Sequence, residues 1–599
     1  MTIQFQTKPT QISDDALTSA LHTAGNRVVS QTLGALLTEG LLPPGTILSA
    51  PAIGEPGELT IKANDELISY RAIVRRTFAY DRWLVEEGSV WRLHTLDGVR
   101  CDDPILLLDD LLPLAVGDAV THERFRDEIR RTFLNHAEAL VASRRRGRAL
   151  ASQGYDAAEA YLTDGHRYHP CFKSRIGFSP KENRAYGPEF ANTLKPVWLG
   201  IHKDLSASSS IAVPGLQDRS LLTSADAPAL DGDFHILPVH PWQWEREIEA
   251  ATTLERAAGR IVFLGEARHD YLAQQSIRTL ADQTSPDAPS LKLALSIRNT
   301  STARTLAAHT VLNAPIISAW LHDVSHSDPY LEASGTIFLL ERMGTTVTLP
   351  PGLNTGKDLR GGMAAIWRDP IHKYLCAKTE AASPFSMLTH LDVDRRPSIA
   401  PWVEAFGIEN WTRELLRVSS IPVVHLLTAH GIALESHQQN MVLVHQNGWP
   451  ARIALKDFHD GVRFIPGRLH VHTPALVATP AEHARINPNS YVEAKDPEDV
   501  RDFMFDALFG VNLAELAFFL ERYFGFDERA FWRMAAVVIR EHLHSNEAAG
   551  KGAVTFGLLD DEVLVEDLAR RRLDTGQVRA RRVPNPLIHA AGFPEYAPC

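Results

Sequence analysis

The sequence predicts an α+β protein of two or three packed subdomains, and three observations carry that expectation. At 599 residues the chain exceeds the size at which one hydrophobic core keeps growing. Its 44% hydrophobic and 22% charged content is that of an ordinary folded protein. The texture also changes along the chain, from helical to strands alternating with polar loops and back to helical.

Residues 1–165 read as mainly helical, with a mixed middle where "GELTIKAN" and "SVWRLHTLDG" form short strands bounded by turn residues. Residues 166–400 read as mixed α and β, with "SASSS" and "DQTSPDAPS" as polar loops. From 401 to 599 helices return, notably "DVRDFMFDALFGVNLAELAFFLERYF" and "ERAFWRMAAVVIREHLHS", whose apolar residues recur at three and four and mark core faces.

A formal net charge of −12 argues against nucleic-acid or anionic-membrane binding, which needs a dominant basic surface. The run "RRRGR" at 144–148 follows an amphipathic pattern and reads as a solvated helix end. No secretory signal is expected from the opening residues, and no apolar run is read as a membrane span. The cysteines, Cys101, Cys171, Cys376 and Cys599, form no CxxC pair, which excludes the usual Cys-based metal spacings and points to a reducing cytoplasm.

The stretch "ALESHQQNMVLVHQNGWPARIALKDF", residues 433–458, carries the chemistry. "TRELLRVSSIPVVHLLTAHG" reads as a helix ending at Gly431, and "MVLVHQNGWPARIALKDF" as two strands joined by an Asn-Gly turn. Such a hairpin returns Asp457 to Asn440. An Asn and an Asp converging this way are hard oxygen ligands suited to Mg²⁺ holding nucleotide phosphates, as in the catalytic loop of protein kinases. Hydrogen-bonded loop residues are the competing reading.

Upstream, "SLKLALSIRNTSTARTL" reads as a half-buried strand whose polar face carries Lys292 and Arg298, with Arg304 beyond a hydroxyl-rich turn. "QQSIRTLAD" adds Ser276, Arg278 and Thr279. Guanidinium forks with hydroxyls are what carboxylate or phosphate demands. "DGHRYHPCFKSRIGF" supplies His166, His169, Lys173 and Arg175, and "HILPVHPWQWE" supplies His235 and His240. Neither has the His-Glu-x-x-His spacing of a zinc protease, so hydrogen bonding to an anionic substrate or structural roles are expected. No Walker A loop, dinucleotide fingerprint or nucleophile elbow is present.

Together and in order, "GHRYHPCFKSRIGF", "LPVHPWQWE", "SIRT", "KLALSIRNTSTART", "ESHQQN" and "KDFHDG" resemble the NRPS-independent siderophore synthetases, the family of aerobactin synthetase, from about residue 120 to 580. The resemblance implies a cupped-hand architecture, with 1–165 the thumb, 166–400 the fingers and 401–599 a kinase-like palm binding nucleotide and metal. It implies ATP-dependent adenylation of a carboxylate of citrate or a related polycarboxylic acid, then condensation with an amine, hydroxylamine or alcohol.

By the same resemblance, Ser276, Arg278, Lys292, Thr302 and Arg304 contact nucleotide phosphates or the acid, and His169 and His437 bind carboxylates. Glu435, Asn440 and Asp457 hold Mg²⁺, Gln439 lies on the nucleotide, and Lys551 is a candidate for the acid site. Lys456 stands where the family carries arginine. A cytoplasmic homodimer is the family expectation. The family's C-terminal region is also related to ferric-siderophore reductases, but only Cys599 lies beyond residue 400, which argues against an iron–sulfur centre. Two other readings compete: a kinase-like phosphotransferase, which leaves the upstream cations without a task, and a non-catalytic citrate or siderophore binder.

Overall fold

The computed structural model describes residues 14–590 apart from 53, 96, 148, 212–231, 301, 350–358, 377, 470, 488–489 and 575–579. In the N-terminal part, helices Asp14–Thr38 and Ala119–Arg146 pack together beside a six-stranded sheet. Strand Ile68–Arg76 at its centre alternates buried and exposed residues, so Ile68, Tyr70, Ala72 and Val74 meet Val28, Leu33 and Leu36 in one core. Ala569 and Leu573 return from the far end of the chain to that core. The basic run at 144–146 closes the second helix, and Gly147 caps it at φ 58.

The middle part is a seven-stranded antiparallel sheet. Its inner strands Ser290–Leu293 and Ala364–Arg368 are buried on both faces. Helix Ala308–Ser327 packs on strand Glu341–Val347, and a three-stranded sheet with strands Val197–His202, Phe234–Val239 and Ile261–Glu266 packs against the larger sheet. "SASSS", expected to be a loop, is the edge strand Ser206–Ser210 paired with Met343–Val347. Pairing overrides its low strand propensity, and the Ser208 hydroxyl donates to the Gly344 carbonyl at 3.1 Å. The expected single strand at 290–299 is two, Ser290–Leu293 and Leu295–Asn299, in different sheets.

The C-terminal part carries a four-stranded sheet in the order Ile337–Phe338, Trp449–Leu455, Met441–Gln446, Ala381–Pro384. Two of these strands fall before residue 401, so this sheet takes in chain from the preceding region. The hairpin forms as the sequence indicates, with Met441 opposite Leu455 and the turn at Asn447 (φ 50) and Gly448 (φ 92). Any Cβ on Gly448 would lie 2.2 Å from the Trp402 ring.

Helix Ile408–His430 backs the sheet and ends at Gly431 in the left-handed region. One helical stretch, Pro497–Phe524, is long and apolar enough to cross a membrane by length and composition alone, and 83% of its most apolar window is buried inside the protein. Its Val500, Phe505, Leu508, Phe509, Leu516 and Leu520 are buried in the main core. Mid-way it widens into a π-helical segment, Asp506–Leu513, that places Asn512 under the loop after Glu435.

Candidate active site

Three local structures converge. The hairpin brings the Asn440 carbonyl onto the Lys456 N–H at 3.0 Å. Strands Ile432–Leu434 and Val462–Phe464 pair, and the Glu435 N–H donates to the Gly461 carbonyl at 2.9 Å. Glu435, Asn440 and Asp457 therefore share one loop cluster, Asn440 meeting the Asp457 segment as the hairpin spacing indicated. Asn440 Nδ2 donates to the Glu435 carbonyl at 2.8 Å, and Asn512 Nδ2 to the Ser436 carbonyl at 3.1 Å, so the loop is held from both sides.

The seven-stranded sheet supplies Lys292 and Arg368, and the segments around it supply Arg278 and Arg304. Lys292 Nζ lies 3.1 Å from Asp457 Oδ2, and Arg368 at the end of Ala364–Arg368 donates to Asp457 Oδ1. Arg368 also donates to Gln274 Oε1 at 2.9 Å. Arg278 is steadied by the Thr305 carbonyl at 2.7 Å, and Arg304 by the Thr300 hydroxyl at 3.1 Å, while Arg304 Nε is buried without a partner. Ser276 and Thr279 hydroxyls bond at 2.8 Å, and the Thr279 N–H donates back to Ser276. The side chain of Thr302 lies outside the described residues, though its backbone belongs to strand Thr302–Arg304.

The backbone is strained here. Ile277, Thr300 and Asp457 adopt φ of 71, 60 and 69. A β-branched residue in this region costs about 1–3 kcal/mol and persists only where the surroundings enforce it.

Electrostatics define what the cluster lacks. Burial, then the neighbouring Arg304, lowers Arg278 to about 10. Lys292 falls to about 8 by burial, against the pull of Asp457 and with Arg278 repelling it. Arg304 is lowered by burial as well. Burial alone would raise Asp457, but Lys292 and Arg368 outweigh it and hold its carboxyl well below the usual range. Buried Lys292 and Arg368 share the one carboxylate of Asp457, while the half-buried Arg278 and Arg304 have no carboxylate contact among the described residues, an arrangement that suits a further anion.

On the opposite side, Glu435 is pushed up to about 8, by burial first and then by Asp460 and Glu566. That excess negative charge fits a hard divalent cation on Glu435, Asn440 and Asp457: carboxylate and amide oxygens are the donors Mg²⁺ takes, and its charge would relieve Glu435.

Three histidines border the cluster, each with Nδ1 accepting from backbone. His437 takes the Gln439 N–H at 3.2 Å, His169 the Cys171 N–H at 3.0 Å, and His166 the N–H groups of Tyr168 and His169 at 3.1 and 3.0 Å. Burial depresses all three, His437 to about 4 and His166 to about 3, with His169 well below its ordinary value. They are neutral at pH 7, and an occupied Nδ1 leaves Nε2–H as the donor. The charge of Arg304 reaches both His437 and His169, which ties them to the cation group.

Other expected residues sit differently. Lys551 does not join the cluster: it projects from helix Glu547–Thr555 into solvent, its side chain 76% exposed, and pairs with Glu547 at 2.6 Å. Gln439 is exposed at the mouth of the loop. Lys173 and Arg175 are buried against Glu189, a structural network. Lys456 turns away from Asp457 to bind Glu159 Oε1 at 2.8 Å and the Tyr155 hydroxyl at 3.0 Å.

Sequence reasoning named His166 only within its histidine-rich stretch, and missed Arg368 and the Glu341–His459 pair at 2.7 Å. Glu341 is fully buried and its charge reaches Arg278, Lys292 and Arg368. An arginine closing the apolar run "MAAIW" was the available signal for Arg368.

Cationic side chains beside a hard-metal ligand set, with neutral imidazole donors at the border, suit substrates that carry carboxylate or phosphate groups. Comparison with known proteins narrows this. Residues 154–390 match the IucA / IucC family, and residues 409–578 match the description "Ferric iron reductase FhuF-like transporter". The latter segment contains no cysteine.

A synthase from Staphylococcus aureus, "2-[(L-alanin-3-ylcarbamoyl)methyl]-3-(2-aminoethylcarbamoyl)-2-hydroxypropanoate synthase", is 34% identical over 95% of this chain and 93% of its own length. The citryl-spermidine/3,4-dihydroxybenzoyl-citryl-spermidine:spermidine ligase of Bacillus anthracis is 32% identical over 94% of this chain and 93% of its own. The crystal structure of petrobactin biosynthesis protein AsbB from Bacillus anthracis superposes with TM-score 0.83 at 30% identity, covering 97% of this chain and 98% of that one. The chain belongs to the IucA/IucC family of NRPS-independent siderophore synthetases. It is a ligase of siderophore biosynthesis that forms amide bonds.

Proposed function

We propose that the enzyme uses ATP to adenylate one carboxylate of citrate or a citrate-derived acid and passes the acyl group to an amine, with hydroxylamines and alcohols as related nucleophiles. The observation that carries this reading is the group Arg278, Lys292, Arg304 and Arg368, of which Asp457 pairs with Lys292 and Arg368 while Arg278 and Arg304 have no carboxylate contact among the described residues. A triphosphate and a polycarboxylate together supply the anions that group lacks.

In the first step a carboxylate oxygen of the acid attacks the α-phosphorus and pyrophosphate leaves. In the second the amine nitrogen attacks the acyl carbon, loses a proton, and AMP departs with the carboxylate oxygen. Arg278, Arg304 and Lys292 hold phosphate and carboxylate oxygens in line, while His437, His169 and His166 donate Nε2–H bonds to the acid. Ser276 and Thr302 lie on the same segments. Mg²⁺ on Glu435, Asn440 and Asp457 would neutralise phosphate charge. Catalysis is then positioning plus neutralisation, and no covalent enzyme intermediate is needed.

In this reading residues 1–165, 166–400 and 401–599 act as thumb, fingers and palm of a cupped hand, and the enzyme works as a cytoplasmic homodimer. The names of both relatives describe a citryl or hydroxypropanoate core bearing amides, which supports a citrate half-amide as the acid.

The test is pyrophosphate release by the purified enzyme with ATP and Mg²⁺ across citrate, citryl monoamides and simple dicarboxylates, followed by mass spectrometry with diamines. AMP and pyrophosphate should appear only with a citrate-type acid; ADP as the sole product overturns the reading. Arg304→Ala should lower acid-dependent pyrophosphate release by about 10³-fold, as loss of one preorganised charge donor does, whereas Lys551→Ala should leave it near wild type.

A further inference from the structure

Four helices bring together a cluster that the adenylation site does not use. Asp328 sits at the junction of helices Ala308–Ser327 and Pro329–Ser334. His425 and His430 lie on the last two turns of Ile408–His430, and His542 on Glu528–Ser545. Asp328 Oδ2 lies 3.1 Å from His425 Nε2 and 2.9 Å from His430 Nε2. One ligand atom from each of Asp328, His425 and His430 falls within a 4.8 Å span.

We infer that Asp328, His425 and His430 form a transition-metal site of the zinc class, separate from the Mg²⁺ ligands. The ligand spacing fits. In a tetrahedral zinc site with bonds of about 2.0–2.1 Å, neighbouring ligand atoms lie about 3.3 Å apart. Both carboxylate-to-imidazole distances are within a few tenths of an ångström of that edge, and the two imidazole ligand atoms lie within 4.8 Å of each other.

The surroundings fit as well. Asp328 Oδ1 caps helix Pro329–Ser334 by accepting the Leu331 N–H at 2.8 Å, which fixes the carboxylate and aims Oδ2 at the histidines. His425 Nδ1 lies 2.9 Å from His542 Nε2, so His425 can donate its other ring N–H to a second imidazole while Nε2 faces the metal. The Tyr330 ring packs on His425 and His542, at centroid distances of 4.6 and 4.5 Å, and walls the site.

His425 is fully buried, whereas Asp328 and His430 keep 12% of their side-chain surface, giving an edge for ion entry and for water as a fourth ligand. His430 precedes Gly431 and the strand leading to Glu435, so an ion here clips three helices at the root of the catalytic loop.

The same groups would otherwise form a hydrogen-bonded network with Asp328 accepting from both histidines, and the experiment separates the two. Untagged full-length protein is freed of metal by chelation and titrated with Zn²⁺ by calorimetry and with Co²⁺ by visible absorption. One equivalent of each should bind, with a tetrahedral Co²⁺ band and a raised melting temperature. Asp328→Asn, which keeps the helix cap, and His430→Gln, at the exposed edge, should each weaken binding by at least about tenfold and abolish the band. Glu435→Gln should leave stoichiometry and band unchanged. No stoichiometric binding by the wild type overturns the proposal, whether or not the variants fold; so does binding that survives both variants or that Glu435→Gln removes.

Discussion

Gly461 sets how closely the backbone of the catalytic loop folds on itself, and Gly461→Ala tests whether that closeness matters. An added Cβ would lie 2.4 Å from the Asp457 carbonyl oxygen and 3.5 Å from Glu435 Cβ. The first contact is about 1 Å short of ordinary van der Waals separation, and its partner is backbone, not the end of a flexible side chain. Asp457 is already held at φ 69, so the loop has little room to yield. A displacement near 1 Å at reacting groups costs about 10²-fold in rate. Overpacking of this kind costs about 1–3 kcal/mol in stability.

The assay is acid-dependent pyrophosphate release at saturating ATP, with denaturant melts on the same preparations. The rate should fall about 10²-fold while the protein stays folded. A variant within threefold of wild type would refute the claim that Asp457 and Glu435 must be held in this register.

Glu435, raised to about 8, links metal binding to pH. In the metal-free protein its contribution to stability is fully present below its ordinary carboxyl range and is lost as pH rises through about 8. Mg²⁺ binding needs the ionised form, so affinity should rise with pH to a plateau above about 8, with about one proton released per ion near neutrality; Glu435→Gln should remove both effects, read by calorimetry in two buffers. Lys456 and Glu159 are 5% and 3% exposed, and Lys456→Met strands a buried carboxylate. It should destabilise the fold by about 3–5 kcal/mol in urea melts, with Lys456→Met/Glu159→Gln recovering part; a loss under about 1 kcal/mol would reject the pairing.

What could be read in the sequence was what the chain encodes locally. The Gly431 helix stop, the Asn447–Gly448 turn and the recurrence of apolar residues fixed the helix and hairpin, and hence the meeting of Asn440 with Asp457. What depends on distant partners was not legible. Nothing around Lys456 announces Glu159, nearly 300 positions away. Nor does "SASSS" announce the strand that recruits it as an edge. Arg368 looks like any arginine after an apolar strand until the sheet places it on Asp457. Lys551 failed because a short helix with Glu547 four residues earlier gives it a solvent-exposed partner. The middle cations were found as a set through their clustering in sequence, but that Asp457 pairs with Lys292 and leaves Arg278 and Arg304 without a carboxylate contact among the described residues required the folded cluster.

The central claim is that the acid is activated at the α-phosphate. The direct measurement uses a citrate-type acid labelled with ¹⁸O in its carboxylates, turned over with ATP, Mg²⁺ and an amine, with the nucleotide and phosphate products read by mass spectrometry. The account predicts one labelled oxygen in AMP and none in pyrophosphate. Label in inorganic phosphate, accompanied by ADP, would contradict it.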